Sequence, residues 1–229
     1  MGEYYGLMII GLIFAGVGML VSGQLKRRFK EYSKIPISSG LTGREVAQQM
    51  LDDNGLNDVR IVEAQGFLSD HYNPSNKTIA LSPDVYHSNS VAAAAVAAHE
   101  TGHAVQHAQA YTWLQMRSSL VPVVQFASSI MQWIILFGII FISSFPQLLL
   151  FGIILFASTT LFSFITLPVE FDASKRALAW LNTTRVVSDQ QHDKAANALK
   201  WAASTYVVNA LGSLASLLYL ITIFLGRRN

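Results

Sequence analysis

Ala98-His99-Glu100-Thr101-Gly102-His103 is the stretch from which the rest of the chain is read. It has the form His-Glu-x-x-His and sits in a run that favours a helix. Two histidines four apart lie one turn apart on one helical face, so both imidazoles can grip one ion. Glu100 is turned to a neighbouring part of the surface. From there it can take a proton from a metal-activated water without itself being a ligand. Upstream, Val91-Ala92-Ala93-Ala94-Ala95-Val96-Ala97 is a strong helix former with small side chains, and Ser90 is a suitable N-cap. Such a helix, expected over about 90–110, can be buried close to its neighbours. His99, Glu100, His103 and His107 inside a covered helix are hard to explain as packing, because buried ionisable groups are costly unless paired or metal-bound.

Composition sets the surroundings. The chain has 229 residues, 52% of them hydrophobic and only 13% charged. Soluble domains carry about 25% charged residues, so this is an integral membrane protein. The net charge of +2 is too small to suggest a nucleic-acid partner. With no cysteine, disulfides and thiolate metal sites are excluded, and any metal must sit on nitrogen and oxygen.

Taken in order, residues 4–23 form an apolar run long enough to cross a bilayer. Gln24-Leu25-Lys26-Arg27-Arg28-Phe29-Lys30 follows it. Signal peptides carry positive charge before their apolar part, so this placement predicts an uncleaved anchor, N-terminus outside and basic cluster in the cytoplasm. Residues 31–117 are more polar and form the expected zinc-bearing region. Thr42 and Glu45 make a capping box for a helix ending near Asn54 and Gly55, with Val46, Ala47, Met50 and Leu51 as its apolar stripe. Val59–Ala64 and Lys77–Ser82 read as short strands, with a loop Gly66-Phe67-Leu68-Ser69-Asp70-His71-Tyr72-Asn73-Pro74 between them. Thr78-Ile79-Ala80-Leu81 is the candidate edge for an added peptide strand, the alternative being a plain structural hairpin.

Segments 120–142 and 148–167 read as a second and third span, joined by the uncharged link Ser143-Ser144-Phe145-Pro146-Gln147. Pro168 marks a kink or a restart. Residues 168–204 read as cytoplasmic helices, with a second capping box at Ser188 and Gln191. Ala195, Ala196, Leu199 and Ala202 continue as a helical stripe, with Lys194 and Lys200 solvated. Residues 205–225 read as a fourth span, although Arg227 and Arg228 would then face outward, against the positive-inside bias. The fold class is therefore a mainly α membrane protein. It has about four transmembrane helices and a small α+β zinc-protease domain at the cytoplasmic face.

Zinc with a catalytic water needs three protein ligands. Glu170, where the third span ends, is the leading candidate. The hairpin of spans two and three returns it to the membrane face from which the zinc helix departs. Its bland reading is a carboxylate favoured by the start of a helix. His107 is one further turn from His103, and three successive turns splay too far for one ion, which leaves it an outer-sphere or neutral role. His71 is a loop candidate for a ligand or an oxyanion donor. Asp172 is better placed to hold an imidazole N–H than to bind metal.

His99-Glu100-Thr101-Gly102-His103 together with Val169-Glu170-Phe171-Asp172-Ala173 resembles the YugP-type bacterial membrane zinc metallopeptidases. The likeness runs over nearly the whole chain. It includes an N-terminal span, Asp70-His71-Tyr72-Asn73-Pro74, the zinc helix, the apolar hairpin and the glutamate helix. More distantly the chain is similar to the HtpX/Ste24-type membrane proteases, gluzincins that take zinc on two histidines and a later glutamate. The resemblance implies His99, His103 and Glu170 as Zn2+ ligands and Glu100 as general base. It implies a place in the bacterial inner (plasma) membrane. One position departs: the pattern Glu-x-x-x-Asp would place aspartate at 174, where this chain has Ser174, so the hold on a histidine passes elsewhere or to Asp172.

These observations predict a membrane-embedded zinc endopeptidase with its site on the cytoplasmic side. Its partners are the lipid bilayer and peptides or membrane-protein loops as substrates; an oligomer or accessory protein is compatible. His71, Tyr72 and Arg176 are candidate oxyanion donors. An intramembrane site-2-type arrangement is disfavoured, because the apolar run before His99 spans only about eight residues against roughly 20 needed to cross. A transporter would carry midplane charges, and residues 120–167 have none. The rival from another class is a non-catalytic membrane scaffold with a structural zinc site.

Overall fold

The computed structural model describes residues 2–66 and 68–226. Phe67 of the loop, and Arg227 and Arg228 with their topological argument, lie outside the described residues. The elements run α1 (Gly2–Tyr32), α2 (Gly43–Asp53), β1 (Arg60–Glu63), β2 (His71–Asn73), β3 (Thr78–Leu81), α3 (Pro83–Tyr86), α4 (Val91–Ala108), α5 (Thr112–Ile140), α6 (Pro146–Thr183) and α7 (Asp189–Gly226). The protein is mainly helical. Among the described residues four helices, α1, α5, α6 and α7, are long and apolar enough to cross a membrane.

The chain divides into two compact units. One gathers residues up to Leu20, Met116–Leu167 and residues from Thr205 onward. Its small core is Ile139, Leu149, Ile153, Leu220 and Ile223, while Trp133, Phe137, Ile154 and Leu218 face outward. Outward-facing apolar side chains are expected where lipid is the solvent. The backbones of α5 and α6 approach closely at Gly138: a methyl there would lie 2.7 Å from the Leu149 Cα.

The other unit, Val21–Gln115 with Pro168–Ser204, carries the sheet and the histidine helix. Its core includes Val46, Ala47, Met50 and Leu51 of α2, Ile79 and Leu81 of β3, the alanines of α4, and Ala177 and Leu181 of α6. Both capping boxes are present. Glu45 Oε2 accepts from the Thr42 N–H at 2.8 Å, and Gln191 Oε1 accepts from the Ser188 N–H at 3.0 Å. Gln191 Nε2 also donates to the Pro36 carbonyl at 2.9 Å, so the α7 cap holds the chain leaving α1. Of the expected α7 stripe, Ala195 and Leu199 are fully covered, joined by Ala198 and Ala203, while Ala196, Ala202 and Lys194 are half-buried.

Three expectations are corrected. The loop between the predicted strands contains a third strand, β2, and the sheet order is β1-β3-β2. β3 pairs parallel with β1 and antiparallel with β2, so Thr78–Leu81 is the central strand, with all four residues buried. It is neither an edge nor half of a hairpin with β1; the free edges belong to β1 and β2. The cause is local. Asp70 Oδ1 accepts from the Ser82 N–H at 2.7 Å and from the Ser82 hydroxyl at 3.0 Å. That clamp closes the far end of the β2–β3 hairpin, whose turn is reached with Lys77 at φ +50°. The third correction concerns the restart, one of the two readings open at Pro168. Helix α6 does not restart there but runs unbroken through it. Val169, Ala173, Ala177 and Leu181, spaced every four residues, are all completely buried. Packing of that stripe holds the helix across the lost N–H.

Candidate metal centre

Helix α4 begins where the Ser90 hydroxyl accepts from the Ala93 N–H at 3.2 Å. It is covered on nearly every side, as the run of alanines allows. His99 and His103 stack edge to face, with ring centres 4.8 Å apart. Facing them is α6. At the crossing, Gly102 stands against the backbone of Ala173, and a methyl on Gly102 would lie 2.7 Å from the Ala173 carbonyl oxygen. The missing side chain lets the two helices touch, and the touch delivers Glu170 to the imidazoles.

Glu170 Oε2 lies 3.3 Å from His99 Nε2 and 3.7 Å from His103 Nε2. One donor atom from each of the three residues falls within 4.8 Å of the others. A tetrahedral zinc with bonds of about 2.0–2.1 Å separates its ligand atoms by about 3.3–3.4 Å. The two edges that meet at Glu170 are close to the size such an ion spans, and the nitrogen and oxygen donors are of the right chemistry.

The imidazoles are oriented from behind. Gln106, fully buried, donates through Nε2 to the Val169 carbonyl and to Asp172 Oδ2, each at 2.8 Å. Both amide hydrogens are thus committed, so Oε1 must face His103 Nδ1, 3.0 Å away. His103 must then carry a proton on Nδ1, which leaves Nε2 as the ring atom turned toward Glu170. His99 Nδ1 meets the Ser174 hydroxyl at 3.1 Å. Asp172 is held in turn by the Arg176 Nε–H at 2.5 Å. It reaches His103 through Gln106 rather than directly. Arg176 also donates to Gln109 Oε1 at 2.6 Å.

Burial by itself would raise the Glu170 carboxyl, but hydrogen bonds to His103 and His99 outweigh it and hold the group well below the usual carboxylate range. For His103 burial works to discharge the ring, yet the Glu170 hydrogen bond and the nearby Glu100 charge leave it raised. Glu100 is therefore close enough to His103 to act on its charge, and it is only 8% exposed.

The remaining predicted residues lie as follows. The Tyr72 hydroxyl is bound to His107 Nδ1 at 2.8 Å, tying β2 to the last turn of α4. Burial, then the Asp58 charge, push the Tyr72 phenol up to about 12. His71 is exposed, its Nδ1 on the Ser69 carbonyl at 2.8 Å. Gln106 and Ser174 as imidazole partners, and Gly102 as a spacer, were not singled out for these roles from sequence. The available signals were an amide three residues after His103 and a hydroxyl four residues after Glu170.

A His-His-Glu triangle on two buried helices, in a chain with four helices apolar enough to span a bilayer, defines a membrane protein of the zinc-metallopeptidase class. The comparisons agree: the chain belongs to the family described as "Putative neutral zinc metallopeptidase", which matches residues 7–225. A relative, "Putative membrane protease YugP" of Bacillus subtilis (strain 168), is 40% identical over 225 residues, covering 97% of this chain and 99% of that protein. The expected resemblance is thus borne out. No solved structure matches the chain with significance.

Proposed function

We propose that the chain is a membrane-embedded zinc endopeptidase, with His99, His103 and Glu170 holding the ion and Glu100 acting as general base. The observation that carries this reading is the donor triangle of 3.3 and 3.7 Å edges about Glu170 Oε2. Zinc, when bound, supplies a Lewis acid and a water acidified to near neutrality. Glu100 takes the water's proton and passes it to the leaving amine. Gln106 and Ser174 keep the Nε2 atoms of His103 and His99 turned inward during turnover. Arg176 serves by fixing Asp172 rather than by meeting substrate, which leaves His71 and Tyr72 as the side chains to test as oxyanion donors.

The site faces the cytoplasm in this reading, supported by Lys26, Arg27, Arg28 and Lys30 directly after the first apolar run. Substrates are peptides or membrane-protein loops at the bilayer surface. Because the protein has no cysteine, single-cysteine labelling with an impermeant maleimide reports the side directly.

The decisive variant is Glu100→Gln. It is expected to keep stoichiometric zinc and lose at least about 10³-fold in cleavage of a quenched peptide library, general-base catalysis alone supplying roughly 10²–10⁴. The scaffold alternative expects no cleavage by either protein and unfolding on chelation. Cleavage that survives both the variant and chelation rejects the endopeptidase.

A further inference from the structure

A second site lies away from the metal centre, where α1 leaves its apolar run. Lys26, Phe29 and Lys30 fall on one face of α1, at i, i+3 and i+4, and with Ser33 just past the end of the helix they line a cavity of about 590 Å³. The facing wall carries Asp84, His87 and Ser88. Nearby charges are already matched: Arg28 pairs with Glu31 at 3.0 Å and His87 with Glu63 at 3.1 Å. The Lys26 and Lys30 ammonium groups meet no carboxylate within ion-pair distance among the described residues. Two unmatched cations against Asp84 leave the cavity with a net charge of about +1.

Position narrows the ligand. Lys26 follows Val21, the last large apolar residue of the run that ends at Gly23, by five residues of unbroken helix, a rise of about 8 Å. The polar headgroup layer is about 5–8 Å deep on each side of the hydrocarbon, and lysines reach back toward it. A lipid phosphodiester therefore lies within reach of both ammonium groups. Asp84 and Ser88 on the opposite wall call for a headgroup that also donates hydrogen bonds.

We propose that this cavity binds the headgroup of an anionic, hydroxyl-bearing glycerophospholipid, of the phosphatidylglycerol type. The phosphodiester rests between Lys26 and Lys30. The glycerol hydroxyls turn to Asp84 and Ser88, and Phe29 covers the linking carbons. A choline headgroup offers no donor to Asp84, and an ethanolamine headgroup leaves the surplus positive charge unmatched.

The test uses the full-length protein in detergent micelles doped with phosphatidylglycerol, phosphatidylethanolamine or phosphatidylcholine, with bound lipid counted by native mass spectrometry. Each juxtamembrane lysine contributes roughly five-fold in affinity. The K26A/K30A double variant is expected to weaken phosphatidylglycerol binding about 30-fold. The control R27A/K34A, which removes the same charge outside the cavity, is expected to weaken it less than about three-fold, and K26R/K30R to retain it. Four results overturn the proposal: equal losses in the two alanine pairs, loss in the arginine pair, equal affinity for phosphatidylethanolamine, or displacement of the lipid by millimolar inorganic phosphate. None of these readouts depends on zinc or peptide cleavage.

Discussion

Adding one methyl at Gly102 tests how the metal centre is assembled. The Gly102→Ala Cβ would lie 2.7 Å from the Ala173 carbonyl oxygen, and also 3.2 Å from its Cα. Ordinary contact begins near 3.4 Å, so α4 and α6 must part by about 3.4 − 2.7 = 0.7 Å. Both neighbours are backbone atoms of a fully buried stripe, so no side chain can swing aside. Over-packing of this kind costs about 1–3 kcal/mol of stability. The effect on the site is larger, because the same parting carries Glu170 away from both imidazoles. Donor edges of 3.3 and 3.7 Å would open to about 4 Å or more, beyond the roughly 0.5 Å tolerance of a metal site. Zinc affinity is expected to fall at least about 10²-fold, comparable with loss of an imidazole partner or a 1 Å misplacement. Zinc competition titration and zinc content per chain measure the first effect, and thermal unfolding of the metal-free protein the second. Wild-type affinity in a folded Gly102→Ala protein would refute the claim that contact of these two helices is what places the carboxylate.

Two further outcomes follow from the same geometry. Gln106→Leu leaves the His103 Nδ1–H, the Val169 carbonyl and Asp172 without their shared partner; zinc affinity is expected to drop about 10–100-fold, read by competition with a chelating dye, and an unchanged affinity would show that the His103 ring is held by packing alone. The metal-free pair sets the pH response. Glu170 is held below its ordinary 4.5, so its contribution to stability is present above that value and is lost as pH falls through the depressed value. His103 is held above 6.5, so its contribution is full below 6.5 and is lost as pH rises through the raised value. Metal-free stability from this pair is thus greatest between about pH 4.5 and 6.5. Zinc must displace the His103 proton, so its affinity is expected to climb up to about tenfold per pH unit from 6.5 until that raised value is passed; a flat profile over pH 6–8 counts against the pairing.

Local signals were legible where one short stretch determines the outcome. Ser90 before the alanine run, Thr42 with Glu45, and Ser188 with Gln191 each name a helix start, because a cap needs partners only three residues apart. The four long apolar helices follow from composition over about 20 residues. The sheet was less legible. β2 has three residues beside an Asn-Pro pair, too short for alternation to show. Its partner choice depends on Asp70 reaching Ser82, a contact across the hairpin that no periodicity contains. Pro168 left a kink or a restart open for a similar reason: the local rule disfavours a continuous helix there, and a buried stripe on the far side of the proline removes the restart.

At position 174 the contact that orients an imidazole is a hydroxyl rather than a carboxylate. The gluzincin pattern that the sequence resembles distantly places a carboxylate there, and on that ground alone the His99 ring could have been left unsupported. Instead the Ser174 hydroxyl lies 3.1 Å from His99 Nδ1, and Asp172, on another face of the helix, supports His103 through Gln106. A hydroxyl can orient an imidazole without adding negative charge to a pocket that already holds Glu100 and Glu170. A carboxylate at 174 would add a third acid beside Glu100 and Glu170, and Ser174 spares the site that repulsion. Asp172, on another face of the helix, is paired with Arg176. The chain thus distributes the orienting work over Ser174, Gln106 and Asp172, which makes the contact between α4 and α6, rather than any single acid, the feature on which imidazole orientation depends.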